Sequence, residues 1–365
     1  MSLQHGRLSA FFLLLLSLIA AGSIPDEPPP AFLAKWGSEG TGDHQFKSPT
    51  GIAVDASGNV YVTDTRNYRV KKLDASGTLL RMWGWGVQDG TSTFQVCTSG
   101  CREGISGGGN GQFDLPYGIA VNASGHVFVA DQLNNRIQKF DKDGTYLLMW
   151  GWVAQSGPST LLAESIPSDD GTTRADNGQL VWPHGLTIGP QGYIWVADTR
   201  NHRIQKFDAG GTFLAKLGTN GHGDGEFDEP ADVAVDSSGN VYVADTNNYR
   251  IQKFGAAGQL LTKWGSLGSG NGQFNKPVAV DLDAAGNVYV VDSQNDRVQK
   301  FDEDGNFLTK WGSEGSGAGQ FFIPFGATID ALGNVFVADT SNHRIQIFGP
   351  ALELFVGEPE PPFGH

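Results

Sequence analysis

Gly272-Gln-Phe-Asn-Lys-Pro277, Asn287-Val-Tyr-Val-Val-Asp292, Asn295-Asp-Arg-Val-Gln-Lys-Phe301 and Phe307-Leu-Thr-Lys-Trp-Gly312 follow one another within a single stretch of the chain. The aspartate that ends the second of these segments recurs at Asp64, Asp131, Asp198, Asp245, Asp292 and Asp339, at intervals of 67, 67, 47, 47 and 47 residues. A fixed period of this size marks a repeat architecture. There are six units, and two of the intervals carry 20 extra residues. Each unit holds four short runs rich in Val, Ile, Tyr and Phe, separated by turns such as Asp55-Ala-Ser-Gly-Asn59 and Asp74-Ala-Ser-Gly-Thr78. Glycine there supplies the positive φ of a hairpin loop, and Asp or Ser caps the turn.

Four strands joined by hairpins form an antiparallel meander. In Val241-Tyr-Val-Ala244 the valines point one way and Tyr242 the other, so both faces are apolar and both need a neighbour. Radially stacked four-stranded blades meet that need for every copy. The chain ends choose a closed ring over an open stack. Phe32-Leu-Ala-Lys-Trp-Gly37 matches the fourth run of the other units, Phe213-Leu-Ala-Lys-Leu-Gly218 among them, yet precedes any first run. It completes the last blade, with Leu352-Glu-Leu-Phe-Val-Gly357 as a weaker competitor. The fold class expected is all-β: a six-bladed β-propeller of four-stranded antiparallel blades, closed by an N-terminal strand.

At the level of motifs, Pro-x-Gly-Ile-Ala-Val, Val-Tyr-Val-Ala-Asp and Asn-x-Arg-Ile-Gln-x-Phe resemble the NHL repeat, in all six copies over about residues 32–348. The resemblance implies the fold strongly and function weakly, because function belongs to sites grafted on folds. NHL propellers occur in peptide α-amidating lyases, RNA-binding tripartite-motif ubiquitin ligases, sensor domains of bacterial kinases and many secreted bacterial proteins. The lyases place zinc-binding histidines in Pro-His slots on several blades. Here only Trp182-Pro-His184 carries one, and a zinc site needs three or four ligands.

Composition agrees with this reading. Glycine makes up 14% of the chain (51 of 365), about twice the usual ~7%, as many turns require. The formal net charge of −14, from 25 Lys+Arg against 39 Asp+Glu, opposes a phosphate-neutralising surface, so no nucleic-acid partner is expected. Residues 1–22 run from His5 and Arg7 through an apolar stretch to Ala20-Ala-Gly22, the pattern of a secretory signal peptide. Nothing later is long and apolar enough to span a bilayer. A Pro-rich linker is expected over residues 23–31 and a disordered Pro/Glu-rich tail over 349–365. Cys97 and Cys101, the only cysteines, are expected to form a local disulfide in an oxidising extracellular or periplasmic compartment.

Residues repeated six times are structural candidates. Asp64/Arg69, Asp131/Arg136, Asp198/Arg203, Asp245/Arg250, Asp292/Arg297 and Asp339/Arg344 are expected to pair at the blade ends, together with the repeated asparagines. Singular residues in repeated slots are the functional candidates. The slot after the repeated proline holds Thr50, Tyr117, His184, Ala231, Val278 and Phe325 and opens the innermost strand beside the axis. The turn after each repeated aspartate adds Arg66, Tyr68, Arg200, His202 and Tyr249 on the same face. The candidate ligand-binding set is therefore Arg66, Tyr68, Tyr117, His184, Arg200, His202, Tyr249 and Phe325. Both insertions, 85–110 and 152–177, are expected to decorate that face.

Catalytic patterns are otherwise poor. Gly104-Ile-Ser-Gly-Gly108 fits G-x-S-x-G but lacks the strand and helix that build a nucleophile elbow. Asp141-Lys-Asp-Gly144 and Asp302-Glu-Asp-Gly305 lack the downstream Glu of a calcium loop. The expectation is a secreted, monomeric, non-enzymatic module that binds a protein, peptide or glycan, with no cofactor. The alternative is a channel-centred lyase or lactone hydrolase using His184 and a zinc or calcium ion.

Overall fold

A computed structural model describes residues 26–151 and 176–350. The segment called a signal peptide, most of the second insertion and the tail beyond 350, including Leu352–Gly357, lie outside the described residues. The first strand is β1 (Ala31–Trp36). Blade 1 contains β2 (Pro49–Val54), β3 (Val60–Asp64), β4 (Arg69–Leu73), β5 (Leu79–Trp85) and β6 (Phe94–Cys97); blade 2 contains β7 (Pro116–Val121), β8 (Val127–Asp131), β9 (Arg136–Phe140) and β10 (Tyr146–Gly151). Blade 3 contains β11 (Pro183–Ile188), β12 (Ile194–Asp198), β13 (Arg203–Phe207) and β14 (Phe213–Leu217); blade 4 contains β15 (Pro230–Val235), β16 (Val241–Asp245), β17 (Arg250–Phe254) and β18 (Leu260–Trp264). Blade 5 contains β19 (Pro277–Leu282), β20 (Val288–Asp292), β21 (Arg297–Phe301) and β22 (Phe307–Trp311); blade 6 contains β23 (Ala327–Ile329), β24 (Val335–Asp339) and β25 (Arg344–Gly349).

Sheet order closes the ring as the sequence predicts: β1 pairs antiparallel with β25, giving blade 6 the order β1-β25-β24-β23. Each blade buries one face against each neighbour, so apolar cores lie between blades. Between blades 1 and 2, for instance, Tyr61 and Trp83 meet Phe113, Val129 and Phe140. A hydroxyl stitches the inner rim: Thr65, Thr199, Thr246 and Thr340 donate to the carbonyls of Pro116, Pro230, Pro277 and Pro49 in the next blade. The last of these bonds joins blade 6 to blade 1. Gly51 shows how tightly the inner strands approach, because a Cβ there would sit 2.1 Å from the Tyr117 carbonyl oxygen.

The repeated Asp–Arg residues form six ion pairs of 2.6–2.8 Å, every aspartate fully buried. Each aspartate also accepts the side-chain amide of the repeated asparagine, as Asp131 does from Asn134, and a backbone N–H from the preceding inter-blade loop, as from Asp114. The guanidinium crosses to loop carbonyls, Arg250 reaching His222, Gly223 and Glu226. These groups close the blade ends and are unavailable to a ligand.

The first insertion departs from expectation. Its residues Phe94–Cys97 form β6, a fifth strand on the outer edge of blade 1, pairing with Met82–Trp85. Phe94 stacks on Phe140, and this burial favours the edge over the open face. Cys97 and Cys101 are disulfide-bonded, and the turn between them is held by Asp43, which accepts the N–H groups of Gly100 and Cys101. Only the return leg reaches the loop-bearing face, where Gly104 donates to the Asn67 carbonyl.

Candidate functional site

The six first strands surround an axial cavity of about 200 Å³. The post-proline residues Thr50, Tyr117, His184, Ala231, Val278 and Phe325 all line it, as their slot predicts. Three of them converge across the axis. Tyr117 stacks on His184 with ring centroids 4.9 Å apart, and Phe325, from blade 6, meets Tyr117 edge-on at 5.4 Å and His184 at 6.3 Å. Such stacked and edge-to-face geometries are the favoured ones for aromatic rings. The three rings form an aromatic cluster across the mouth of the cavity.

His184 is held from the neighbouring blade, its Nε2 receiving the Gln132 side-chain amide. Gln132 occupies the slot where four other blades carry the stitching threonine. Its longer side chain reaches the imidazole, whereas threonine stops at the next proline carbonyl. Burial, reinforced by the Arg200 charge, pushes the His184 pKa down to about 4, so the ring is neutral at pH 7. With Nε2 accepting from Gln132, the ring proton belongs on Nδ1, which is buried and has no hydrogen-bond partner. A buried donor left unspent costs free energy until something accepts from it.

The arginines flank this cluster. Arg66 is exposed, and its charge partly offsets the upward shift that burial imposes on the Tyr117 hydroxyl. Arg200 lies over the Trp182 ring at 4.6 Å and pairs with Glu229 at 2.8 Å. The other predicted residues fall elsewhere. Tyr68, His202 and Tyr249 adopt left-handed conformations that end the short 3-10 turns after the repeated aspartates. His202 accepts the backbone N–H of Glu229 in the next blade. Asn135, Asp296 and His343 make the same inter-blade bond to Trp182, Ile323 and Ser48. This slot is a clasp between blades, and tyrosine at 68 and 249 is its exception.

Two acids inside the cavity escaped the sequence reading. Asp232 stands in the slot that is glycine in four blades, and Asp281 two positions further along the next first strand. Asp232 accepts the N–H groups of Val233 and, across the blade junction, Val280; Asp281 accepts those of Leu282 and Ile329. Burial outweighs these bonds and pushes Asp232 up to about 8 and Asp281 to about 6. The Asp232 carboxyl packs against Gly185, next to His184, where a Cβ would lie 1.9 Å from its oxygen. A neutral imidazole and a carboxylic acid thus occupy neighbouring steps of one wall. The signal was present as a break in the Pro-x-Gly pattern at Pro230-Ala-Asp232.

Among the described residues no three His, Cys, Asp or Glu side chains converge to hold a metal ion. The zinc ligand set implied by the lyase resemblance therefore does not fit the donors around His184.

A ring of six antiparallel blades, five of four strands and one with a fifth at its edge, with singular side chains gathered at one mouth of its axis, defines the chain as a six-bladed β-propeller. The family model described as NHL repeat matches residues 46–73, 113–140, 180–207, 227–254 and 323–348, one segment in each of five blades. The chain belongs to the NHL-repeat propellers, and blade 5 has the same pairing although it is unmatched. It is 35% identical over 182 residues to peptidyl-glycine alpha-amidating monooxygenase A of Xenopus laevis, covering 48% of this chain and 16% of that protein. It is 31% identical over 167 residues to the probable peptidyl-alpha-hydroxyglycine alpha-amidating lyase pgal-1 of Caenorhabditis elegans, covering 45% of this chain and 38% of that one. The matches thus span well under half the length of these relatives. Among solved structures, a gluconolactonase of Xanthomonas campestris superposes with a TM-score of 0.55 at 17% identity, covering 89% of this chain and 98% of that one, a likeness of fold.

Proposed function

We propose that this propeller is a secreted, non-enzymatic binding module whose ligand seats at the axial mouth on the loop-bearing face. The ligand is a protein, peptide or glycan that presents a hydrogen-bond acceptor, carboxylate foremost, to His184 Nδ1 between Arg66 and Arg200. The observation that carries this reading is the buried, unspent imidazole donor within an aromatic cluster flanked by guanidinium groups. Aromatic and arginine side chains are those that dominate binding hot spots. The disulfide supports an oxidising compartment.

A second reading rests on Asp232 and His184. An acid that keeps its proton beside a neutral base is equipped for proton transfer, and two relatives are named as amidating enzymes. One panel separates the two readings: peptides ending in a free carboxylate, peptides ending in α-hydroxyglycine, and gluconolactone, each followed by thermal shift and by product release. The binding reading expects stabilisation by the carboxylate peptides, lost in His184→Ala and Tyr117→Ala, with no turnover. Turnover of any member that disappears in His184→Ala or Asp232→Asn would replace it with the enzymatic reading.

A further inference from the structure

The fourth strand of a propeller blade has one row of backbone N–H and C=O groups that its own four-stranded meander does not pair, and such an edge is a template for another strand. Two of the six blades show what such a strand does. On blade 1, β6 covers the half of β5 that includes Met82. On blade 5, the segment preceding β1 lies along β22: the Glu27 N–H donates to the Leu308 carbonyl at 2.8 Å, and the Glu27 carboxylate meets Lys300 at 2.6 Å. Both additions withdraw apolar side chains from water. Met82 is 0% exposed, against 44% for Met149 in the same slot of blade 2; Leu308 is 9% exposed, against 43% for Leu214 in the same slot of blade 3.

Among the described residues, blade 3 matches blade 5 in this arrangement except for the added strand. Its register is identical: Lys206 faces Ala215 and Phe207 faces Phe213, as Lys300 faces Thr309 and Phe301 faces Phe307. Leu214 therefore directs its carbonyl outward as Leu308 does. The lysine slot is what singles this blade out. Lys72 lies 3.9 Å from Asp55, Lys139 donates to the Ala209 carbonyl, and Lys253 donates to the Glu303 carbonyl. Blade 6 carries Ile347 there. Lys206 has the rings of Tyr193 and Trp195 at 4.2 and 4.9 Å, and among the described residues no oxygen partner.

We infer that the outer edge of blade 3, β14 with Lys206, is a docking site for an extended, acidic segment of a partner polypeptide, which adds as a fifth strand. Main-chain bonds to Leu214 give the attachment, and a glutamate or aspartate on Lys206 gives the register, as Glu27 does on Lys300. Charge sets the kind of partner. Lys216 is exposed on the same strand, so a second copy paired edge to edge would bring like charges together, whereas an acidic strand meets two cations. This surface lies on the circumference of the ring and is independent of the axial mouth.

The test uses the full chain and two labelled peptides, Thr-Val-Glu-Val-Thr and Thr-Val-Lys-Val-Thr, titrated at low salt by fluorescence anisotropy. The inference expects the Glu peptide to bind roughly tenfold or more tighter than the Lys peptide, with the difference shrinking as salt screens it. A Glu peptide N-methylated at its glutamate lacks the N–H that would donate to the Leu214 carbonyl, as Glu27 donates to Leu308, and should bind about tenfold or more weaker. Lys206→Gln should abolish the preference for Glu. Hydrogen exchange should show protection at residues 213–217 when the Glu peptide is bound. No saturation by roughly 1 mM peptide, equal binding of both peptides, or loss of binding in Tyr117→Ala with Lys206→Gln unaffected would each overturn it.

Discussion

Replacing Arg250 by Met tests whether the repeated Asp–Arg residues are structural. The ion pair with Asp245 is 2.7 Å long, its side chains 10% and 0% exposed, and the guanidinium also serves three loop carbonyls. Removing the cation leaves a buried carboxylate and three carbonyls without their donor, and breaking a buried pair in this way costs about 3–5 kcal/mol. With about 300 residues in the described ring, the unfolding entropy is about 0.6 kcal/mol per degree, so Tm should fall by roughly 5–8 °C. The control is Arg81→Met. That residue pairs with Asp143 at 3.0 Å, but the two side chains are 31% and 51% exposed, and a pair so exposed contributes at most about 1 kcal/mol. Scanning calorimetry of both variants beside wild type gives the answer. A shift in Arg250→Met no larger than in Arg81→Met would refute the argument and return the repeated pairs to the list of functional candidates.

Deleting residues 26–36 removes β1 and should cost the ring its single cooperative melting transition, with protease cleavage appearing first in blade 6. Asp232 keeps a proton when folded up to about pH 8 but loses it near the ordinary 3.8 when unfolded, so its contribution to stability declines as pH rises through that interval. Asp232→Asn should therefore shrink the Tm difference between pH 5 and pH 8.5, read by thermal melts in matched buffers. Gly118→Ala places a Cβ 2.3 Å from the His184 carbonyl oxygen; overpacking of this kind costs about 1–3 kcal/mol, and the ligand response of the mouth should weaken with it. Cys97→Ser with Cys101→Ser opens a very short loop, for which chain entropy gives about 2 kcal/mol, and should expose the 98–100 turn to proteolysis before the ring melts.

Periodicity made the ring legible because every blade repeats the same slots, and a slot states which layer a residue occupies. The Phe32–Gly37 run could be placed in blade 6 before any first strand existed, and β1 pairs with β25 as that placement requires. Periodicity does not state how far a side chain reaches. Gln132 could be recognised as the odd member of a Thr/Ser slot, but its bond to an imidazole one blade away depends on the length of its side chain and the curvature of the inner rim. Asp232 and Asp281 were hidden for a related reason: in a slot written as glycine or a small residue, an acid reads as drift until the cavity wall is seen. The edge strand β6 was missed because Phe94–Cys97 is four residues long and lies in a glycine-rich loop that resembles a surface excursion.

The singular residues of the mouth occupy positions whose ordinary work is to lock one blade to the next, and this couples site and fold. Where threonine would stitch blade 2 to the Pro183 carbonyl, Gln132 holds His184; where glycine would let two first strands close, Asp232 bonds across the junction to Val280. Each change gives up a generic interlock and replaces it with one made by a side chain that also faces the cavity. The replacements differ in cost. Gln132 exchanges one neutral hydrogen bond for another, close to balance. Asp232 places an ionisable group where burial opposes its charge, and it is stabilised when protonated or when a positive or hydrogen-bonding group comes near. A ligand that offers such a group would tighten the junction between blades 4 and 5 as it binds. Occupancy of the axis and cohesion of the ring should therefore rise together, and a Tm increase that is lost in Asp232→Asn while the Gln132–His184 contact persists would locate that coupling at this one carboxyl.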